Sequence, residues 1–290
     1  MNKYNIIHLK EVTSTNDYLK DNYKSLPEFT IVYADMQTKG KGRLGRVWQS
    51  SNKNLEFSIL LKPSFADIST LSLLFGLAVS QTIDKYIKSE IKWPNDIIVN
   101  DKKICGMLAE AISSKKVDAY IMGIGLNINE IKFEGGLKDK ATSLKLILNK
   151  DFDIKTILDE FIISFDSLYE EYKSGHYSFI DSVRKKNYLK GKSGFIQDSF
   201  VKVVDIDNKG NLVVEKEDGS ILHLYSGEFS LNNFYSKQNW YNLHKRCIYD
   251  KLYKESKWIY EKIYKSRRHY KLNMFNHNLC FNILPCCKKR

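Results

Sequence analysis

Residues Thr38 to Trp48 read TKGKGRLGRVW. Three glycines (Gly40, Gly42, Gly45) are interleaved with four cations (Lys39, Lys41, Arg43, Arg46), and Trp48 closes the run. Glycines permit φ > 0 and close approach of backbone to a ligand. Cations this dense, with no neutralising acid in the run, repel one another, so the loop is expected to stay mobile until an anion arrives. Ahead of it, Thr30–Asp35 (TIVYAD) reads as a short apolar strand, and behind it Leu55–Leu61 (LEFSILL) reads as a second, buried one. A cationic, glycine-rich loop between two strands has the make-up of a phosphate cradle.

The spacing also fits G-x-G-x-x-G, but a dinucleotide fingerprint needs a helix opening at the last glycine. Here Val47–Asn52 (VWQSSN) leads to a strand instead. GKGRLGRV further resembles a kinase glycine loop, yet the H-R-D and D-F-G strings are absent from the chain. The plain alternative is a solvated basic turn, which the charge density between two strands disfavours.

Working outward, the 290 residues suffice for one large domain plus a small one. No run of about eighteen apolar residues exists, so no membrane span is expected. The N-terminal MNKYNIIHLKEVTS lacks an apolar core and a cleavage site, so no secretory signal is read. The five cysteines (Cys105, Cys247, Cys280, Cys286, Cys287) are odd in number and late, which fits a reduced, cytoplasmic protein. The net charge of +12 is unevenly spread: Tyr235–Arg290 holds 14 cations and 3 acids, leaving 32 and 31 before it. The pI is therefore no argument for nucleic-acid binding by the body of the chain.

In order, residues 3–10 (KYNIIHLK) form a strand, and Ser14, Thr15 or Asn16 can cap the helix that follows. Residues 67–88 are helical by their apolar spacing, with Asp67 or Ser69 as cap. Ile91–Asp96 (IKWPND) opens a β-hairpin with a strand at 97–99, a turn at Asn100-Asp101 and a strand from Lys103 onwards. Lys92 and Lys103 lie on its two arms and could converge; either alone reads as a solvated surface charge. Residues 119–129 (AYIMGIGLNIN) read as a buried strand whose Gly123 and Gly125 signal a close ligand or a bulge. Thr142-Ser143-Leu144 leads into a short helix, 153–173 is a strongly amphipathic one, and a shorter helix spans about Ser178–Leu189. From Gly191 the period changes to short alternating runs, with turns at Asn208–Gly210 and Glu217–Gly219, giving a small all-β barrel.

Taken together, GKGRLGRVW, KWPND, KKICG and GIGLNIN, in this order, resemble the biotin–protein ligases. The resemblance covers residues 3–231. It implies an α+β fold: a mixed β-sheet with helices, class II synthetase-like, over residues 1–186, plus an SH3-like β-barrel at 187–232. It implies a ligase that joins biotin to a lysine of a biotin carboxyl carrier protein through biotinyl-5′-AMP, using ATP and Mg²⁺ and releasing pyrophosphate and AMP.

The site residues follow from the same resemblance. Lys103 and Arg43 are the catalytic cations. Biotin is assigned to Ser14, Thr15, Asn16, Gln37, Gly40, Lys41, Gly42, Arg43, Trp48, Lys103, Gly106 and Gly125. The nucleotide is assigned to Arg43, Arg46, Trp48, Lys92, Asn95, Asp96, Lys103 and Asn127. No protein cage for a metal is expected; Mg²⁺ comes with ATP, with Asp96 as its candidate contact. Small hydroxyls and an amide suit a neutral ring with donors and an acceptor. Cations suit a step that brings two anions together.

Two loop positions depart from the family, with Lys41 where arginine is usual and Leu44 where arginine is frequent. Lysine keeps the charge and loses the bidentate fork, which bears on how well the adenylate is retained. No helix-turn-helix precedes Ser14, so the expectation is a catalytic-only ligase without sequence-specific DNA binding. Pairing through sheet edges leaves a homodimer open. A lipoate or octanoate ligase or transferase is the alternative within the superfamily. The alternative of another class is a nucleic-acid-binding protein acting through the basic, aromatic tail, residues 233–290. There, Lys237–Tyr270 could form a basic amphipathic helix, and His269, His277 and the cysteines fit no zinc spacing.

Overall fold

The computed structural model describes residues 3–63, 68–114, 117–196, 199–227 and 229–230. The tail with its expected helix, its histidines and four of the five cysteines, and the candidate cap Asp67, lie outside the described residues.

The seven apolar runs of the first part pair into one mixed sheet. Its strands are β1 (Asn5–Val12), β2 (Thr30–Gln37), β3 (Leu55–Leu61), β4 (Glu90–Lys92), β5 (Asp96–Val99), β6 (Lys102–Ser113) and β7 (Val117–Leu126). The spatial order is β1-β2-β3-β7-β6-β5-β4. β1 runs parallel to β2, and every other pair is antiparallel. The Asn100-Asp101 turn forms as expected, with φ of 50° and 60°, the left-handed values a two-residue hairpin turn requires.

The central strand β3 is buried along its whole length, and its period of two assigns each residue to a face. Leu55, Phe57, Ile59 and Leu61 belong to the main core. Glu56, Ser58 and Leu60 face the other way, where Leu60 packs with Leu19 of α1 (Thr15–Asn22).

The main core is covered by α2 (Leu71–Asp84) and α4 (Ile154–Lys173). α2 is shorter than the 67–88 read from the sequence; Thr70 takes the N-cap position, and Tyr86 and Ile87 follow in a turn beyond the helix. α4 begins where its cap predicts, the Asp153 carboxylate accepting the Thr156 N–H at 2.6 Å. α3 (Leu144–Leu148) is capped by Ser143, and α5 (Phe179–Lys185) is shorter than the expected 178–189.

Aromatic rings cement α4 to the sheet and to α2. Phe57 and Phe161 lie 4.9 Å apart, Phe75 and Phe165 4.6 Å, and Phe165 and Tyr169 5.2 Å. Phe165 has no exposed surface. Phe165→Ala is expected to cost about 3–5 kcal/mol of stability, read as a lower urea midpoint at an unchanged slope. A midpoint within error of the parent would show that the ring stack does not carry the core.

The second sheet is five-stranded and antiparallel, in the order β11-β10-β9-β8-β12. Its strands are β8 (Ser193–Ile196), β9 (Ser199–Ile206), β10 (Leu212–Lys216), β11 (Ile221–Leu224) and β12 (Phe229–Ser230). The predicted turns hold Gly210 and Gly219 at φ of 77° and 82°. This sheet is not a detached module. Val201, Val203, Leu212 and Val214 share the main core, and the Trp93 indole N–H donates to the Gly210 carbonyl at 3.1 Å. Near the expected boundary at 186–187, the backbone of Ile91 bonds Lys186 and Tyr188 at 2.7 and 3.0 Å. Among the described residues, no helix is long and apolar enough to cross a membrane.

Candidate active site

The site lies on the α1 face of the sheet. It is a cleft of about 480 Å³ including its open mouth, floored by Gly106, Gly123 and Gly125 on β6 and β7. Those glycines have a physical reason. A Cβ on Gly123 would overlap the Asn16 side chain, and one on Gly125 would overlap the Trp48 indole. One on Gly106 would stand 2.7 Å from Lys103 Nζ and 3.0 Å from the Trp48 ring. Neighbouring groups are seated directly on bare backbone.

One end of the cleft is polar and uncharged at its surface. Ser14 caps α1, and Ser14, Thr15 and Asn16 are all buried. Ser58 Oγ donates to Asn16 Oδ1 at 2.5 Å and lies 2.7 Å from Thr15 Oγ1. Asn16 Nδ2 donates to Glu110 Oε2 at 2.7 Å, and Lys20 Nζ bonds Glu110 Oε1 at 2.8 Å. Gln37 Oε1 accepts the Thr15 N–H at 2.8 Å, while Gln37 Nε2 donates to Glu56 Oε2 at 2.8 Å. The amide orientations are thus fixed by their partners. Burial pushes the Glu56 carboxyl up from its ordinary pKa, against the lowering effect of its Ser50, Gln37 and Ser51 donors. The folded state thus penalises ionised Glu56: its contribution is full below the ordinary carboxylate pKa and is lost as pH rises through the raised one.

The other end is cationic. Lys103 Nζ pairs with Asp96 Oδ1 at 2.6 Å and lies 5.7 Å from the centre of the Trp48 ring. Arg43 Nη1 donates to Asn95 Oδ1 and Nη2 to the Gly227 carbonyl, both at 3.0 Å. Asn95 is itself held by donating to the Met107 carbonyl at 2.7 Å. The KWPND turn thereby places an amide to hold an arginine, and Arg43 reaches from the loop to the connection between β11 and β12.

The loop itself differs from expectation in one respect. Lys41 has a neutralising partner outside the run, its Nζ pairing with Asp17 at 2.6 Å, and Arg43 is held by the neutral oxygens described above. The acid sits on α1, far from the loop in sequence. Arg43–Gly45 makes a short 3₁₀ turn with Leu44 at φ 56° and three-quarters exposed. Leu44 therefore occupies a left-handed conformation that favours glycine or asparagine. Beyond the turn, Lys41 bridges Val47, and the Trp48 N–H donates to the Gly40 carbonyl at 3.0 Å.

Most of the expected residues meet. Ser14, Thr15, Asn16, Gln37, Lys41, Gly42, Arg43, Trp48, Asn95, Lys103, Gly106 and Gly125 line one cleft. Gly40, Arg46, Lys92, Asp96 and Asn127 are not in its lining. Gly40 supports the loop, since a Cβ there would stand 2.6 Å from the Trp48 carbonyl. Asp96 backs Lys103. Lys92 and Lys103 are not the two arms of one hairpin as read from the sequence: they stand on β4 and β6, with β5 between them. Asn127 is buried and donates from Nδ2 to the Thr142 carbonyl at 3.0 Å, pinning the loop ahead of α3. Among the described residues no group of three or more His, Cys, Asp or Glu side chains could hold a metal ion.

Several lining or supporting groups carried no signal read from the sequence: Glu56, Ser58, Glu110, Phe57, Met107 and Gly123's partner contact with Asn16. The signal available was an acid and a serine inside the otherwise apolar LEFSILL.

Comparison with known proteins agrees with this geometry. Residues 9–127 match the Biotin/lipoate A/B protein ligase family, and residues 197–232 match the Biotin protein ligase C terminal domain. The bifunctional ligase/repressor BirA of Bacillus subtilis is 33% identical over 247 residues, 80% of this chain and 75% of its own. The biotin protein ligase of Aquifex aeolicus, solved with biotin and ATP, superposes with a TM-score of 0.71 at 36% identity, covering 78% of this chain and 97% of that one. The Leishmania major enzyme, solved with biotinyl-5-AMP, gives 0.53 at 27% identity, over 76% and 98%. A polar, uncharged end and a cationic end joined over a glycine floor, on this fold and at this level of identity, place the chain in the biotin protein ligase family.

Proposed function

We propose that this chain activates biotin with ATP to biotinyl-5′-AMP and then transfers the biotinyl group to a lysine of a biotin carboxyl carrier domain. The observation that carries the reading is the two-ended cleft. A prearranged, neutral set of hydroxyls and amides stands at one end and Lys103 with Arg43 at the other, across bare glycines.

In the first step a biotin carboxylate oxygen attacks the α-phosphorus of ATP, and the bond to pyrophosphate breaks. No side-chain nucleophile is needed. Thr15, Asn16 and Gln37 are already hydrogen-bonded to one another's supports, so they meet the ureido ring with little left to order. Lys103 and Arg43 lower the repulsion between the carboxylate and the triphosphate and stabilise charge as it develops. Trp48, lying over Gly106 and Gly125, covers the mixed anhydride against water. In the second step a lysine amine of the acceptor attacks the acyl carbon and AMP leaves. Asp96 is ion-paired with Lys103, which favours Mg²⁺ arriving on the phosphates over a dedicated protein site.

Arg43→Lys keeps the charge and cannot hold Asn95 and Gly227 together, so a rise of about tenfold in the KM for ATP is expected with biotin binding little changed. An unchanged KM for ATP would place Arg43 outside nucleotide binding. The reading as a whole is tested with an unmodified carrier domain, ATP and biotin. Mass spectrometry should find one biotinyl group on one lysine; an acceptor that stays unmodified, or that takes lipoate instead, would contradict it.

A further inference from the structure

Glu56 sits in mid-strand with 1% of its surface exposed, and burying a carboxylate is costly unless hydrogen bonds compensate it. The compensation comes from two places in the chain. Ser50 Oγ donates at 2.5 Å and Gln37 Nε2 at 2.8 Å to one oxygen, and the Ser51 N–H donates at 3.2 Å to the other. Ser50 Oγ also accepts the Gln37 backbone N–H at 2.7 Å. Gln37 is the last residue of β2, where the chain leaves for the glycine loop; Ser50 and Ser51 are where it returns.

A single carboxylate therefore ties the two stems of the loop spanning 38–49. Its oxygens only accept, so it also turns the Gln37 amide with its NH₂ inward and its oxygen towards Thr15. Backbone bonds from Trp48 to Gly40 and from Gly42 to Arg46 pair the arms further along the loop, and its other side-chain contacts are weaker candidates for holding the stems. The Lys41–Asp17 pair is substantially exposed and worth little, and the Arg43 bonds act at the tip.

We propose that Glu56 is a positioning residue that clamps the base of the cation-rich loop and fixes the orientation of Gln37, so that biotin meets an ordered loop stem. The inference rests on the biotin reading of the cleft for its kinetic consequence, while the loop clamp itself is a statement about the free protein.

Glu56→Gln in the full chain tests it, with Ser50→Ala as a second variant that removes the bridging hydroxyl. Trypsin reads the loop directly, because Lys39, Lys41, Arg43 and Arg46 lie in it; mass spectrometry separates these cuts from those elsewhere. The expected result is loop cleavage several times faster than in the parent without ligand, and a KM for biotin about tenfold higher with kcat changed less. A role confined to folding would lower the yield of folded protein and leave the KM of the folded fraction unchanged, which would overturn the proposal. So would parental loop cleavage and parental KM in both variants. If Glu56→Gln does not fold, Ser50→Ala alone decides by the same two readouts. A parent protein that forms no adenylate would remove the biotin reading, and the trypsin comparison would still judge the clamp.

Discussion

Lys103→Met is expected to lower adenylate formation by about 10²- to 10³-fold in kcat/KM while the protein stays folded, the scale of removing one preorganised charge from a transition state. Two effects add. The cleft loses the cation beside its glycine floor and the Trp48 ring, and the Asp96 carboxylate behind it, previously paired at 2.6 Å, is left uncompensated. The second effect gives the prediction its signature. Asp96→Asn added to Lys103→Met should recover part of the loss, because it removes the uncompensated negative charge. Asp96→Asn alone should do little for stability and should leave Lys103 freer. A Lys103→Met enzyme within tenfold of the parent would show that the cation is not used in the chemistry. A double variant no better than the single would show that Asp96 merely flanks it.

Gly123→Ala is expected to raise the dissociation constant for biotin by about 100-fold, a loss of buried hydrogen bonds rather than of charge. The added methyl would occupy space that the Asn16 amide fills. Asn16 cannot yield cheaply, being buried on α1 and bonded to Ser58, Glu110 and the Leu108 carbonyl. Gly125→Ala makes the control. Its methyl meets the Trp48 indole, which is carried by a surface loop and can shift. The two substitutions are chemically identical and two residues apart on β7, so isothermal titration of both separates a rigid neighbour from a yielding one. Equal effects, or a larger one at Gly125, would contradict the assignment of the ring-binding end to Asn16 and its partners.

The part of the site legible in the sequence was the part whose residues are contiguous. TKGKGRLGRVW and KWPND each carry glycines, a proline or an unusual density of charge; the first lines the cleft with Lys41, Gly42, Arg43 and Trp48, the second with Asn95 alone. The strands and the long helix α4 were legible because each carries one clear period. What could not be read were consequences of strand order. Lys92 and Lys103 look like the two arms of one hairpin until β5 is seen between their strands. Asp17 neutralises Lys41 across 24 residues of sequence, so a loop that looked self-repelling is held. Asn127 looked like a nucleotide contact, and in the structure its amide holds the backbone of Thr142. Glu56 broke the apolar pattern of its strand in plain view; its meaning lay in Gln37 and Ser50, which reach it only after folding.

The most direct test of the central claim is to incubate the purified chain with Mg²⁺ and ATP labelled at the α-phosphate, with biotin, with lipoate or with neither, and to resolve the acyl-adenylate. The account predicts a labelled adenylate that depends on biotin, is absent with lipoate and disappears when an unmodified carrier domain is added. No adenylate with biotin, or one formed as readily with lipoate, would contradict it.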